Sequence, residues 1–321
     1  MAVPAVPAAA ATTRATAFTE PQLPSIKHFR DVGICINSIA KRRLLAEGRL
    51  FVSTSISDTS DAEDEYLRNS LGIRTVVDTA WQKEEEQHLT RTMNTALDKA
   101  PDVSEQRSWL EITRVDDRTY CGVKWRRGPY VTQLIEELST WQKTKLYGHA
   151  FLEEPDANNA LLKKVARSPG ATKESLRVLG SSKAMIAELW NKVFGDETSY
   201  PILMVGNRDS CMFLIILLLF LDVPTKVISQ EIQQAIEHAQ GTVAAPTDEV
   251  SIKFSVDFMQ SAGTWVGDVE QWLGKKYKGL DGYLAAAGVY AHAQDTAERM
   301  LLVLSGDKLA VSTEKVMGRM T

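Results

Sequence analysis

The chain has 321 residues and a mass of 35.6 kDa, is 44% hydrophobic and 24% charged, and carries a formal net charge of −4 with a pI near 5.8. That makeup supports a real apolar core and excludes fibrous, collagen-like and wholly disordered classes. An acidic balance offers no basic face for nucleic acid or an anionic membrane, so neither is expected as a partner.

Residues 1–24 are rich in Ala, Pro and Thr and lack both the basic start and the apolar centre of a secretory signal; they read as a flexible leader. Ile26 to Gly33 (IKHFRDVG) opens ordered structure, and Leu50 to Ser53 is a short strand. Ser60 to Leu71 begins with Ser and acidic residues and closes on Gly72, the capping grammar of a helix, and Ile73 to Val77 follows as a buried strand. Residues 82–108 are polar, and Trp109 to Val115 is another strand. Tyr130 to Trp141 repeats apolar residues at helical spacing, and 144–177 is largely helical with breaks at Pro155 and at 168–170. Ser181 to Phe194 is a helix that leads into the strand Ile202 to Val205, then Gly206 to Ser210 (GNRDS), then a helix from Cys211. The apolar run Met212 to Leu221 is too short to span a bilayer and reads as a buried core helix. Helices at Val227 to Gln240, Val266 to Tyr277 and around Gln294 to Leu304 complete the chain.

Cys35, Cys121 and Cys211 are odd in number and form no C-x-x-C pair, so neither a zinc site nor a disulfide framework is expected, and a reducing, cytoplasmic setting fits. The histidines have no metal-ligand spacing, and no Gly-rich nucleotide fingerprint is present; no metal and no cofactor are expected. The tryptophans outside position 81 (Trp109, Trp125, Trp141, Trp190, Trp265 and Trp272) fall for the most part at core positions and read as packing residues.

Four stretches resemble the atypical tyrosine/serine phosphatase family of fungi and bacteria. IKHFRDVG at 26–33 is similar to that family's N-F-R-D entrance, and 45–78 follows its G-x-L-[YF]-R-S … G-I-[KR]-T-V block. Residues 200–224 stand where its catalytic loop and apolar helix would be, and 266–289 resemble its closing helix and tail. The resemblance implies an α/β phosphatase-like domain over 25–290: a central, mostly parallel sheet of four or five strands with helices on both faces. A helical insertion near 120–180 and a C-terminal helical extension over 291–321 complete the expected organisation.

The chemistry of that family needs a thiolate, a loop of converging backbone amides and an arginine fork on phosphate. Aligned from Gly206, the arginine position holds Asp209, and aligned from Pro201, the His-Cys pair is deleted, with Met204 and Val205 in its place. Two further arginine positions hold Val52 and Ala80. Loss of cysteine-dependent phosphatase activity is therefore expected. Cys121 to Arg127 (CGVKWRR) satisfies C-x5-R, but its Val, Lys and Trp would keep amides from converging, so an ordinary loop cysteine is expected there.

Two functional classes remain open. In the first, the old phosphate cleft holds a small organic substrate in metabolite biosynthesis: Asp209 does acid/base work tuned by Arg208, Asn207 orients the substrate, and Gly206, Ser210, Asp78, Trp81 and Arg30 line the site. In the second, the chain is a catalytically inactive pseudophosphatase that binds or regulates a protein partner. The concentration of changes at phosphate-contacting positions tips the reading towards the first. Plainer roles stand beside each residue: Asp209 or Ser210 as helix N-cap with Arg208 as its ion-pair partner, Trp81 clipped onto the core, and Arg30 with Asp31 fastening the entrance turn.

Overall fold

The computed structural model describes residues 23–303, apart from 57–58, 80–109, 116, 124–133, 136, 152–156, 158–159, 162–170, 207 and 240–248. In chain order the strands are β1 (Arg30–Asp31), β2 (Leu50–Ser53), β3 (Thr75–Asp78), β4 (Leu110–Val115), β5 (Arg118–Val123) and β6 (Ile202–Val205). The helices are α1 (Val32–Ala40), α2 (Asp61–Glu65), α3 (Thr140–Phe151), α4 (Ala171–Ser181), α5 (Lys183–Leu189), α6 (Arg208–Phe220), α7 (Thr225–Ala239), α8 (Glu249–Tyr277), α9 (Leu280–Ala287) and α10 (Ala291–Leu301). Wider turns of π type extend α2 through Tyr66–Ser70 and α5 through Trp190–Phe194.

Strand alternation decides the layers. Val52, Met204, Val77 and Cys121 lie side by side across four strands, and Phe51, Leu203, Val76 and Tyr120 form the next row on the opposite face. The first row joins the larger core, with α1, α5, α6 and α7; the second joins a smaller core with Ile26, Leu67 and Ile73. Helices therefore cover both faces, as expected for an α/β fold. The sheet order is β1-β2-β6-β3-β5-β4, with three inner pairings parallel and the two outer ones antiparallel.

The sheet has six strands, not the four or five expected. β1 is two polar residues long, and β5 alternates polar and small residues (RTYCGV), so neither carries a hydrophobic run. The structure also breaks the expected helix at 130–141. Ser139 accepts from the Gln142 amide at 3.3 Å while the Gln142 side chain accepts from the Ser139 amide at 2.9 Å, a capping box that starts α3. Residues 130–133 and 136 of that helix lie outside the described residues. Trp141, expected in the core, is 66% exposed, whereas Trp190 and Trp265 are fully buried.

The entrance motif is packing chemistry. Asp31 accepts from the amides of Ile34 at 3.1 Å, capping α1, and of Gly48 at 2.5 Å. A Cβ on Gly33 would stand 2.6 Å from the Ala46 carbonyl oxygen, so only glycine lets α1 lie against that strap. Asn37 holds the same strap, accepting from the amides of Leu44 and Leu45 and donating to the Leu45 carbonyl. At the other end of the chain, Leu301 offers its carbonyl to the Ala46 amide at 2.8 Å, which packs α10 onto the same loop.

α6 is apolar all round and is buried all round: from Phe213 to Leu218 no side chain is more than 1% exposed. Each such side chain contributes about 1.5–3 kcal/mol on burial. Among the described residues no helix is long and apolar enough to cross a membrane.

Candidate functional site

The carboxyl ends of the parallel strands converge on Ser53, Val205 and Asp78, which are in register on β2, β6 and β3. In open α/β sheets this edge is where ligands bind. Here it is laced by main-chain bonds. The Gly206 amide donates to the Ser53 carbonyl at 3.0 Å, and Thr79 donates both its amide and its hydroxyl to the Val205 carbonyl, at 2.8 and 2.9 Å.

Between β6 and α6 stand only Gly206 and residue 207. Gly206 has φ of 141°, a region glycine reaches without strain. α6 begins at Arg208, three residues earlier than Cys211, so Arg208, Asp209 and Ser210 form its first turn. Neither Asp209 nor Ser210 is then the N-cap. The Ser210 hydroxyl donates back to the Gly206 carbonyl at 2.7 Å, a bond inside the helix start.

The expected site residues divide between two faces of the sheet. Arg30 lies opposite Val52 and so shares the face of the larger core, whereas Asp78 shares the face of Ser53 and Val205. Arg30 does not pair with Asp31. Its Nε donates to the Glu231 carboxylate on α7 at 2.6 Å, and the Glu231 side chain is only 2% exposed. Burial disfavours the guanidinium charge, but contact with Glu231 outweighs it and holds the pKa above its ordinary value; the thiols of Cys211 and Cys35 lie within electrostatic range. Asn207 and Trp81 lie outside the described residues, as do the side chains of Arg208 and Asp209.

The thiols are equally informative. Cys121, expected in a loop, is the fourth residue of β5 and 1% exposed. Burial, assisted by the nearby Glu188 carboxylate, pushes its pKa up to about 12, the opposite of what a nucleophile needs. Cys211 packs partly buried against the larger core, as expected for a small apolar residue. Among the described residues no group of three or more His, Cys, Asp or Glu could hold a metal ion. A cavity of about 200 Å³ lies at the far end of α6, between Leu219, Phe220 and Asp222 and the Lys278–Asp281 turn. Gly206 to Ser210 do not line it.

Two residues that sequence reasoning missed shape this region. Glu231 had a legible signal, a carboxylate set between Ile228 and Ile232 on the apolar stripe of α7. Ser53 had a weaker one, a hydroxyl ending an otherwise apolar strand. It is 2% exposed and its hydroxyl meets no hydrogen-bond partner among the described residues.

A search of curated proteins finds no match to this chain. The family described as "Tyrosine phosphatase family" matches residues 21–168, from the entrance motif through β5 and α3, and its match ends ahead of β6 and the start of α6. Over that stretch, on an α/β sheet with helices on both faces, the chain is tyrosine phosphatase-like.

Proposed function

We propose that this is a phosphatase-fold protein without cysteine-dependent phosphatase chemistry, acting as a binding or regulatory protein. The observation that carries the reading is the link between β6 and α6, Gly206 and residue 207 alone, where a thiol and its ring of amides would have to stand. Polar groups that could serve a substrate there are bonded within the protein: Arg30 to Glu231, Ser210 to Gly206, and Thr79 to Val205.

A second reading keeps the edge as a small-molecule site in which Asp209 does acid/base work on an organic substrate of metabolite biosynthesis. It is favoured by two observations: Asp209 belongs to the first turn of α6 at the carboxyl edge of the sheet, and the Ser53 hydroxyl there is buried with no partner among the described residues.

Phosphate release from an aryl phosphate tests the first reading. The expected rate is that of buffer alone, and turnover that disappears in Cys35→Ser, Cys121→Ser or Cys211→Ser would overturn it. The second reading requires Asp209→Asn to abolish conversion of a metabolite that wild type converts. Equal rates in the two folded proteins would remove it.

A further inference from the structure

The cavity of about 200 Å³ lies where two helices end. α6 stops at Phe220 and closes through Asp222, whose φ is 55°, with the Val223 amide donating to the Leu218 carbonyl at 3.0 Å. α8 stops at Tyr277 and closes through Lys278, whose φ is 63°, with the Gly279 amide donating to the Leu273 carbonyl at 3.2 Å. Left-handed backbone is uncommon outside glycine, and here it sets an acidic and a basic residue on the wall of one cavity. Asp281, in the first turn of α9, completes the charged side.

The wall has two characters. Asp222, Lys278 and Asp281 are exposed, so the charged side opens to solvent, whereas Phe220 is 6% exposed and Leu219 and Leu280 are half-buried. Among the described residues the Lys278 ammonium has no ion-pair partner, although two aspartates border the same space. Opposite charges that line one cavity without pairing across it offer a place for an anion and a place for a cation at once. The negative ends of α6 and α8 add to the acidic side and favour an ammonium there. Pockets for drug-sized ligands run to about 300–1,000 Å³, so this one takes a smaller molecule.

We propose that this cavity binds a free α-amino acid with an apolar side chain. Its ammonium lies towards Asp222 and Asp281, its carboxylate towards Lys278, and its side chain on Leu219, Phe220 and Leu280. A zwitterion matches both signs of charge together, which a simple amine or a simple carboxylate does not. The cavity stands at the opposite end of α6 from the β6–α6 link, so the proposal is independent of either reading of that link.

Calorimetric titration of the full chain with L-leucine, at constant pH and low ionic strength, tests this. The controls are 4-methylpentanoate, which lacks the amine, 3-methylbutylamine, which lacks the carboxylate, and glycine, which lacks the side chain. Saturable binding of leucine is expected, about fivefold weaker for each of the first two controls and about tenfold weaker for glycine. Lys278→Gln should weaken leucine about fivefold and leave 3-methylbutylamine as in wild type, while Asp281→Asn should weaken both ligands. Absence of saturable leucine binding, equal binding of 4-methylpentanoate, or leucine affinity unchanged in the double variant with circular dichroism matching wild type would each overturn the proposal.

Discussion

Two residues that sequence pattern marks as chemical, Cys121 and Arg30, are held by structure. Cys121 satisfies the spacing of a phosphatase nucleophile, yet it sits in mid-strand with its thiol pushed up to about 12 by burial. Iodoacetamide at mildly alkaline pH is therefore expected to label Cys121 only after unfolding; native labelling of Cys121, read by peptide mass, would contradict this. Arg30 and Glu231 form a pair with Glu231 2% exposed, so Glu231→Leu leaves an uncompensated guanidinium against the core. The expected loss is about 3–5 kcal/mol in denaturant unfolding, and a loss below about 1 kcal/mol would show that the pair carries little. Sequence spacing could flag Arg30 but not its partner, because 201 residues separate the two and only the placement of α7 over the sheet brings them together.

At the scale of elements, what the sequence made legible followed from periodicity and capping. The strands Leu50–Ser53 and Ile202–Val205, and the helix capped by Ser60, were readable because each carries a dense apolar run or a complete capping pattern. β1 and β5 were not, since their place in the sheet is set by register against β2 and β3 and not by their own composition. The Ser60 cap yields a pH prediction. Glu63 accepts from the Ser60 hydroxyl and amide and from the Ser25 amide, which lowers its pKa from 4.5 to about 2. A depressed carboxylate stabilises the fold fully above the unfolded value, and that contribution is lost as pH falls from about 4.5 towards 2. Glu63→Gln should flatten the acid side of the thermal-melting profile over this window; an unchanged slope would contradict the assignment. Gly33→Ala places a methyl group 2.6 Å from the Ala46 carbonyl oxygen, backbone that cannot rotate away. A loss of about 1–3 kcal/mol is expected, and a stability equal to wild type would show that the strap can yield.

Over the whole molecule, a phosphatase-like α/β architecture is present, and β6 ends at Val205 while α6 begins at Arg208. The sheet order, with β6 between β2 and β3, puts the link between them at the centre of the carboxyl edge, where a phosphate cradle would act. The architecture was legible from resemblance spread along the chain. The division of the candidate site was not, because Arg30 and Asp78 differ in the face of the sheet they occupy, which depends on cross-strand register. Cysteine-dependent phosphatases transfer the phosphoryl group to sulfur before water removes it, so the covalent intermediate is the most direct witness of that chemistry. Intact-protein mass spectrometry after acid quench of a mixture with an aryl phosphate should show an unmodified chain. One added phosphoryl group, mapped to Cys35, Cys121 or Cys211, would contradict the account.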